Sequence, residues 1–466
     1  MSANDPTPHP LTANQQGELG FDRHIGSAPY HDPVLVRLRG SLQVGAVQAA
    51  VAEVVRRHES LRTRFVVIDG EDRQVVDPPG SRPLPWIDLA GLAPAQQEQA
   101  LRRIGRDELS TPFDLAEGTA VRWALIHLAL DHHALLVSPH HIAADMWSMG
   151  VLAADFTAAY VHAAAGTPPP LGPPPMQPAQ WAHLEQKRWS PERVAEAVAP
   201  WRAALEQLPA PNLPADHRPD AATWTECWLE HADLGVELSE GVRELSRRRG
   251  VTVFVVLLAA FQCMLARACD VERLVTCSLT ARRDRRDTAE AVGIYADFLR
   301  VMAHLPDDLT FAQVLARTSE AVLDAQEDQH LPGEWLLRGT EVDGVQPHPL
   351  EHAGLNLYNT PPVELRGLGE ALCSVVEPDE RPIGPTTTCW RGNVFIDAYD
   401  FGAGSIVLDV GLAKDLFNED APARWARLYR AVIAQATAGD HVPLSQLPVH
   451  PPGYGQDVTP LRHPAQ

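Results

Sequence analysis

The residues in this chain best suited to chemistry lie in one run, His140-His141-Ile142-Ala143-Ala144-Asp145-Met146-Trp147-Ser148. Two adjacent histidines end an apolar stretch, Ala134-Leu135-Leu136-Val137-Ser138, and a helix-like segment follows from Trp147 to about Ala165. A strand that ends in two histidines and turns into a helix points one imidazole across the sheet and the other along it. One histidine is then placed in a cleft as a base while its neighbour is locked in the core. Imidazole suits such work, since an unperturbed pKa of about 6.5 leaves it largely neutral near pH 7. Asp145 has a second reading as the N-cap of the following helix, where a carboxylate accepts orphan amide hydrogens. Two histidines and an aspartate also suggest metal ligands. Neighbouring strand residues face opposite ways, however, so His140 and His141 do not aim at one ion, and no metal is expected.

The elements that must position these residues are read from period and punctuation. Apolar residues at Val47, Val51, Val54 and Val55 predict a helix from about Val44 to His58. Asp69-Gly70 between short apolar runs predicts a hairpin. The stretch from Thr252 to Ala268 is apolar enough to suggest a membrane span. It is short, contains Gln262 and is flanked by Arg247-Arg248-Arg249 and Arg267, so a buried core helix is expected. A last helix is predicted from Asn418 to Ala436, with Trp425, Leu428, Val432 and Ile433 along its stripe. At 466 residues the chain is too long for one core. The tract from Thr167 to Pro175 holds six prolines and can be neither helix nor strand interior. Two domains are therefore expected, residues 1–175 and 176–466, joined by this extended connector. No repeat with a period of 20–50 residues is visible.

Composition excludes several classes. A formal charge of −21 argues against nucleic acid, which wants a basic footprint, and against an anionic membrane surface. Lys187 and Lys414 are the only lysines amid abundant arginine, alanine and proline, a usage typical of a GC-rich bacterial genome. The opening Met1-Ser2-Ala3-Asn4-Asp5-Pro6 lacks a basic and then apolar leader, so a cytoplasmic protein is expected. Cys227, Cys263, Cys269, Cys277, Cys373 and Cys389 form no CxxC pair, which fits buried thiols in a reducing compartment.

The histidine run resembles the HHxxxDG signature of the condensation domains of nonribosomal peptide synthetases and their carrier-dependent acyltransferase relatives, with Met146 in place of glycine. Further segments are similar to that family in the same order. Pro10-Leu11-Thr12-Ala13-Asn14-Gln15 resembles its PLSxAQ opening, and Arg57-His58-Glu59-Ser60-Leu61-Arg62-Thr63-Arg64-Phe65 matches RHExLRTxF. Thr111-Pro112-Phe113-Asp114-Leu115, with Gly118 and Arg122, looks like the segment leading into the histidine strand. Ala281-Arg282-Arg283-Asp284-Arg285 resembles A-N-R-D-R, and Val292-Gly293-Ile294-Tyr295-Ala296-Asp297 resembles VGxFVN. Weaker echoes occur at Asp328 to Pro332 and Pro349 to Asn359, so the resemblance spans roughly residues 10–449.

This resemblance implies an α/β fold of two chloramphenicol-acetyltransferase-like lobes, a V-shaped pseudo-dimer with the active site at their junction. A carrier protein's phosphopantetheine arm delivers an acyl thioester through one face of a tunnel, and the nucleophile enters through the other. No cofactor of its own is implied, because the thioester carries the activation; positioning alone is worth several kcal/mol. Carried over, His141 is the tunnel histidine that accepts or holds the nucleophile's proton, and His140 is structural. Asp145 points away from substrate and pairs with Arg283, holding the histidine loop against the second lobe. Without the family, Arg283 would read as one member of a solvated run, Arg282 to Arg286. Arg62 is a further buried structural candidate, and Met146 and Trp147 border the donor channel. The basic runs 247–249 and 282–286 read as solvated charge or as a face for an acidic carrier.

Within the superfamily, cyclization domains replace the histidines by aspartates and are excluded. Distinctive later segments of epimerization domains are not evident. Plant-type acyltransferases carry HxxxDG and DFGWG; Asp400-Phe401-Gly402-Ala403-Gly404 looks like the latter but reads as a hairpin turn between apolar strands. Polyketide-associated O-acyltransferases remain an enzymatic alternative, and a non-catalytic docking module of the same fold is an alternative of a different class. With no adenylation or carrier segment in the sequence, a free-standing, monomeric condensation enzyme is expected. Its donor would be a carrier-bound acyl or aminoacyl group, and its acceptor a soluble alcohol or amine.

Overall fold

Contacts along the chain divide the molecule into two units, and the division crosses the sequence order: residues 1–191, 281–296 and 362–382 form the first, and 192–280, 297–361 and 383–466 the second. The structure is a computed structural model and describes residues 7–25, 33–80, 84–117, 120–208, 213–217, 226–340, 348–359, 372–375, 387–388 and 392–449. Gly118 and Cys389 lie outside the described residues.

The first unit opens with β1 (Pro8–Pro10), α1 (Ala13–Ile25), β2 (Val34–Arg39), α2 (Val44–Arg57), β3 (Thr63–Ile68) and β4 (Glu71–Val76). Its other elements before the second unit are β5 (Trp86–Asp88), α3 (Pro94–Ser110), β6 (Val121–Ala129), β7 (His132–Pro139), α4 (Met146–Ala164) and α5 (Pro178–Arg188). Thr12 and Gln15 cap α1 reciprocally, each side chain taking the other's amide hydrogen. Asp69 and Gly70, at φ 53° and 80°, make the two-residue turn that joins β3 to β4; an Asp-Gly pair tolerates left-handed backbone at both positions. The valine stripe of α2 and the inner residues of α4 cover one face of the β2–β7–β6–β5 sheet.

The proline tract lies inside this unit rather than at its boundary, which falls after Pro191. Prolines offer no backbone N–H, so the proline positions of such a segment can be hydrogen-bonded only at their carbonyls. Arg57 donates to the carbonyls of Gly172 and Pro173 at 2.7 and 3.3 Å. Gln177 donates to the Pro175 carbonyl at 2.8 Å and accepts from the Glu59 amide at 2.8 Å.

The second unit begins with α6 (Pro191–Leu205), β8 (Glu226–Asp233), α7 (Val236–Arg249), α8 (Val253–Cys269), β9 (Arg273–Thr280) and β10 (Asp297–His304). It continues with α9 (Phe311–Asp328), α10 (Gly333–Gly339) and β11 (Ala353–Tyr358). Next in the chain, β12 (Leu372–Val375) returns to the first unit and pairs with the edge of β2. The second unit is completed by β13 (Thr387–Thr388), β14 (Val394–Tyr399), β15 (Val407–Ala413) and α11 (Ala421–Ala438). Its seven-stranded sheet runs β10-β9-β11-β14-β15-β8-β13. Helix α8 is almost wholly buried between that sheet and α9 and α11, so its apolar run is a core helix. Among the described residues no single helix is long and apolar enough to cross a membrane. The 400–404 segment is a turn between antiparallel β14 and β15, with Gly402 and Gly404 at positive φ.

Candidate active site

Strand β7 stops at Pro139, and the His140 amide makes one further bridge, to the Ala120 carbonyl at 2.9 Å. The chain then turns, the Ala143 amide donating to the His140 carbonyl at 2.9 Å. His141 therefore sits in the turn, where strand alternation no longer decides its direction. The alternation argument against a shared metal does not apply there. What removes His140 from ligand chemistry is its own bonding. Its Nδ1 accepts from the Ile142 amide at 3.1 Å, which assigns the proton to Nε2, 3.2 Å from Asp22 Oδ1. The ring is fully buried and stands edge-on to Phe113, which the Arg122 guanidinium covers at 3.6 Å.

Beneath the turn the separate sequence motifs converge. Leu11, Phe65, Phe113, Leu115, Ile142 and Ala143 belong to one small buried cluster, and each comes from a segment with a counterpart in the family pattern. The order of motifs in the sequence is thus a register of what packs under the histidines.

Asp145 is both helix cap and ion-pair partner. At the N-cap of α4 its Oδ1 accepts from the Ser148 amide at 2.8 Å and the Ser148 hydroxyl at 2.7 Å. Arg283 Nη2 lies 2.9 Å from both carboxylate oxygens, and Oδ2 also accepts the amides of Tyr295 and Ala296 at 3.1 Å. The two charged side chains are 1% and 2% exposed. Arg283 spends its other terminal nitrogen on the carbonyls of Thr288 and Ala291, at 2.8 and 2.9 Å, and its guanidinium carbon stands 4.2 Å from the centre of the Tyr295 ring. Gly293 closes the knot: its carbonyl accepts from the Asp145 amide, and a Cβ there would sit 3.0 Å from Pro178 and from Tyr295. Burial pushes the Tyr295 phenol pKa well up, and its hydroxyl donates to the Met176 carbonyl at 3.4 Å.

The segment carrying Arg283 belongs to the first unit, so this ion pair closes within that unit instead of tying it to the second. The basic run also divides. Arg282 takes left-handed backbone at φ 47°, Arg283 turns inward, and Arg285 pairs outside with Asp287 at 2.6 Å. The other run is matched by acids, Arg248 and Arg249 by Asp440 and Arg247 by Glu244. Arg62 is largely buried, and burial lowers its pKa. It donates to the Asp77 carbonyl, with Glu59 at 3.6 Å, so these bonds brace the start of β3 and do not reach the histidine turn.

Met146 is the first residue of α4 and is absent from the positive-φ positions, so the backbone does not require glycine there. Its side chain is 63% exposed. Trp147 is half-exposed and donates to the Ala289 carbonyl at 2.8 Å. His141 itself is half-buried. Asp22 and Ser148 were not singled out by sequence. Asp22 offers no local signal in α1, whereas Ser148, three residues after an N-capping aspartate, could have been found from helix-start spacing.

The family model of the Condensation domain matches residues 7–457. The chain belongs to the condensation-domain family. Members of this family transfer acyl groups in nonribosomal peptide synthesis and work with carrier proteins. A linear gramicidin synthase of Brevibacillus parabrevis is 32% identical over 358 residues, 76% of this chain and 7% of that protein. Chondramide synthase of Chondromyces crocatus is 34% identical over 337 residues, 72% of this chain and 8% of that protein. This chain therefore spans under a tenth of the length of either relative. Among solved structures, the X-domain from teicoplanin biosynthesis superposes with a TM-score of 0.82 at 26% identity, covering 96% of this chain and 99% of that one. A second structure holds that X-domain in complex with OxyB, at a TM-score of 0.80.

Proposed function

We propose that this chain catalyses transfer of an acyl or aminoacyl group from a carrier-protein thioester to a soluble alcohol or amine. The attacking oxygen or nitrogen bonds to the thioester carbon, His141 receives its proton, and the phosphopantetheine sulfur leaves and is protonated. The product is an ester or an amide. The thioester supplies the activation, so the chain's part is to position and to move one proton. Met146 and Trp147, exposed at the head of α4, border the donor's path. The observation that carries this reading is a division of labour. Of the three titratable groups in the motif, His140 and Asp145 are buried in the bonds that hold the turn, and His141 is the one that keeps part of its surface open to solvent. O-acyl transfer of the polyketide-associated kind is the same chemistry with an alcohol acceptor.

The test is turnover of acyl-loaded carrier with amine and alcohol acceptors. His141→Ala should lower it about 10²–10⁴-fold with an unchanged circular dichroism spectrum. Near-normal turnover would overturn the assignment. A second reading, a module that docks a partner enzyme, is favoured by the similarity to the teicoplanin X-domain, which is solved in complex with OxyB. Wild-type protein inert towards every carrier-bound acyl group and acceptor decides for that reading.

A further inference from the structure

A second carboxylate reaches the histidine turn, from a helix far away in sequence. Asp22 lies in α1, and its Oδ1 stands 3.2 Å from His140 Nε2. Its side chain is 15% exposed, against 0% for the imidazole. Other residues dock α1. Leu19 belongs to the buried cluster beneath the turn, Gln15 Nε2 donates to Gln74 Oε1 at 3.3 Å, and Asn14 Nδ2 donates to the Ala296 carbonyl at 2.6 Å. Arg23 holds Asp72 by two bonds, at 2.8 and 2.6 Å. The helix therefore keeps its place without Asp22, whose carboxylate is left for the histidine.

His140 holds the chain on both sides of His141. On one side its amide donates to the Ala120 carbonyl and its own carbonyl accepts from the Ala143 amide, both at 2.9 Å. On the other, its Nδ1 accepts the Ile142 amide at 3.1 Å. The peptide that carries His141 is thus fixed at each end by one residue. Phe113, edge-on to the ring, sets its plane.

This grip works in one tautomer only. With the proton on Nδ1, two N–H groups would face each other and the Ile142 amide would lose its acceptor beside a buried side chain. With the proton on Nε2 the amide bond forms, but the ring then has a donor to satisfy in a site closed to water. Asp22 is that acceptor. A carboxylate drawing on Nε2–H also makes Nδ1 the stronger acceptor, as it does for histidines in metal sites.

We propose that Asp22 is a positioning residue: by holding His140 as the Nε2–H tautomer it fixes the turn that presents His141. Its effect on turnover rests on the acyl-transfer reading; its effect on the tautomer does not. No bond is made or broken at Asp22.

The test compares wild type with Asp22→Leu, which removes the acceptor at similar volume, and Asp22→Asn, which keeps an acceptor oxygen. Asp22→Ser, too short to reach Nε2, stands in if leucine prevents folding, and circular dichroism checks each protein. Imidazole nitrogen–proton NMR reads the tautomer, with the His140 signals identified by their loss in His140→Gln. Wild type and Asp22→Asn should show a slowly exchanging N–H on Nε2, which should vanish or move to Nδ1 in Asp22→Leu. With acyl-loaded carrier, Asp22→Leu should lower kcat tenfold or more while KM for the acceptor stays within twofold, and Asp22→Asn should recover most of the loss. A role in stability alone would leave kcat per folded molecule unchanged. An Nδ1–H tautomer in wild type, an Nε2–H signal that persists in Asp22→Leu, or kcat within twofold of wild type would each overturn the inference. If wild type transfers no acyl group but the tautomer still depends on Asp22, the acyl-transfer reading fails and the lock stands. Transfer by a wild type whose His140 carries Nδ1–H sinks the lock alone.

Discussion

The histidine motif of the first unit and the β8–β15 ladder of the second each contain a histidine and a carboxylate, and these two carboxylates are spent differently. In the first, Asp145 takes hydrogens from Ser148, Arg283, Tyr295 and Ala296 and none from an imidazole; it is scaffolding. In the second, Asp409 accepts from His231 and Tyr399, and it aims a side chain. A third histidine, His352, shows what burial does without a carboxylate. Its Nδ1 is 3.0 Å from Asn393 Nδ2, its Nε2 has no partner among the described residues, and burial pushes its pKa down to about 4. What a histidine can do here depends on which group has claimed the neighbouring acid, and motif spacing alone does not show that.

The sharpest break in this comparison is the scaffold itself. Asp145→Ala or Arg283→Ala leaves a buried charge unpaired and should each cost roughly 3–5 kcal/mol of stability. The double mutant should cost less than the two combined, since the orphaned charge is gone as well. Denaturant titration of all four proteins is the measurement, and strict additivity would show that the pair is not coupled.

A somewhat smaller effect is expected from His352. The partly buried His352, with Nε2 shut off from water and its pKa lowered by desolvation from 6.5 to about 4, favours the neutral form in the folded state. Its contribution is therefore complete above pH 6.5 and falls as acid protonates the unfolded chain, reaching a loss of about 3 kcal/mol near pH 4. Stability measured by denaturant between pH 7 and pH 4 should decline less steeply in His352→Phe than in wild type. Parallel curves would show that another group dominates.

The smallest change is expected at Met146. Its helical backbone makes no demand for glycine, so Met146→Gly should cost under about 1 kcal/mol and alter turnover only a few-fold. An inert wild type rescued by Met146→Gly would instead show that the side chain blocks the donor.

Much of the frame was legible in the sequence. The Asp69-Gly70 turn, the valine stripe of α2 and the apolar run of α8 each obey a local rule, and each formed where that rule puts it. The family resemblance brought Asp145 to Arg283 across 138 residues, which no local rule does. The boundary at the proline tract was misplaced. A proline-rich tract poor in backbone donors looks like a linker, and Arg57, which fastens its carbonyls at Gly172 and Pro173, does so through a tertiary contact that composition does not reveal. Asp22 and the His231–Asp409 pair were invisible for the same reason, since pairing across a sheet or from a helix leaves no spacing to read.

The return of residues 281–296 to the first unit also bears on how the protein is made. When residue 191 leaves the ribosome, Arg283 and the amides of Tyr295 and Ala296 are still about 100 residues from leaving it. At typical elongation rates that is a delay of roughly 5–20 s, during which Asp145 lacks most of its partners. The first half of the chain cannot finish its own interior until the second half is well under way. A gene cut between the halves would leave a carboxylate with no cation to meet.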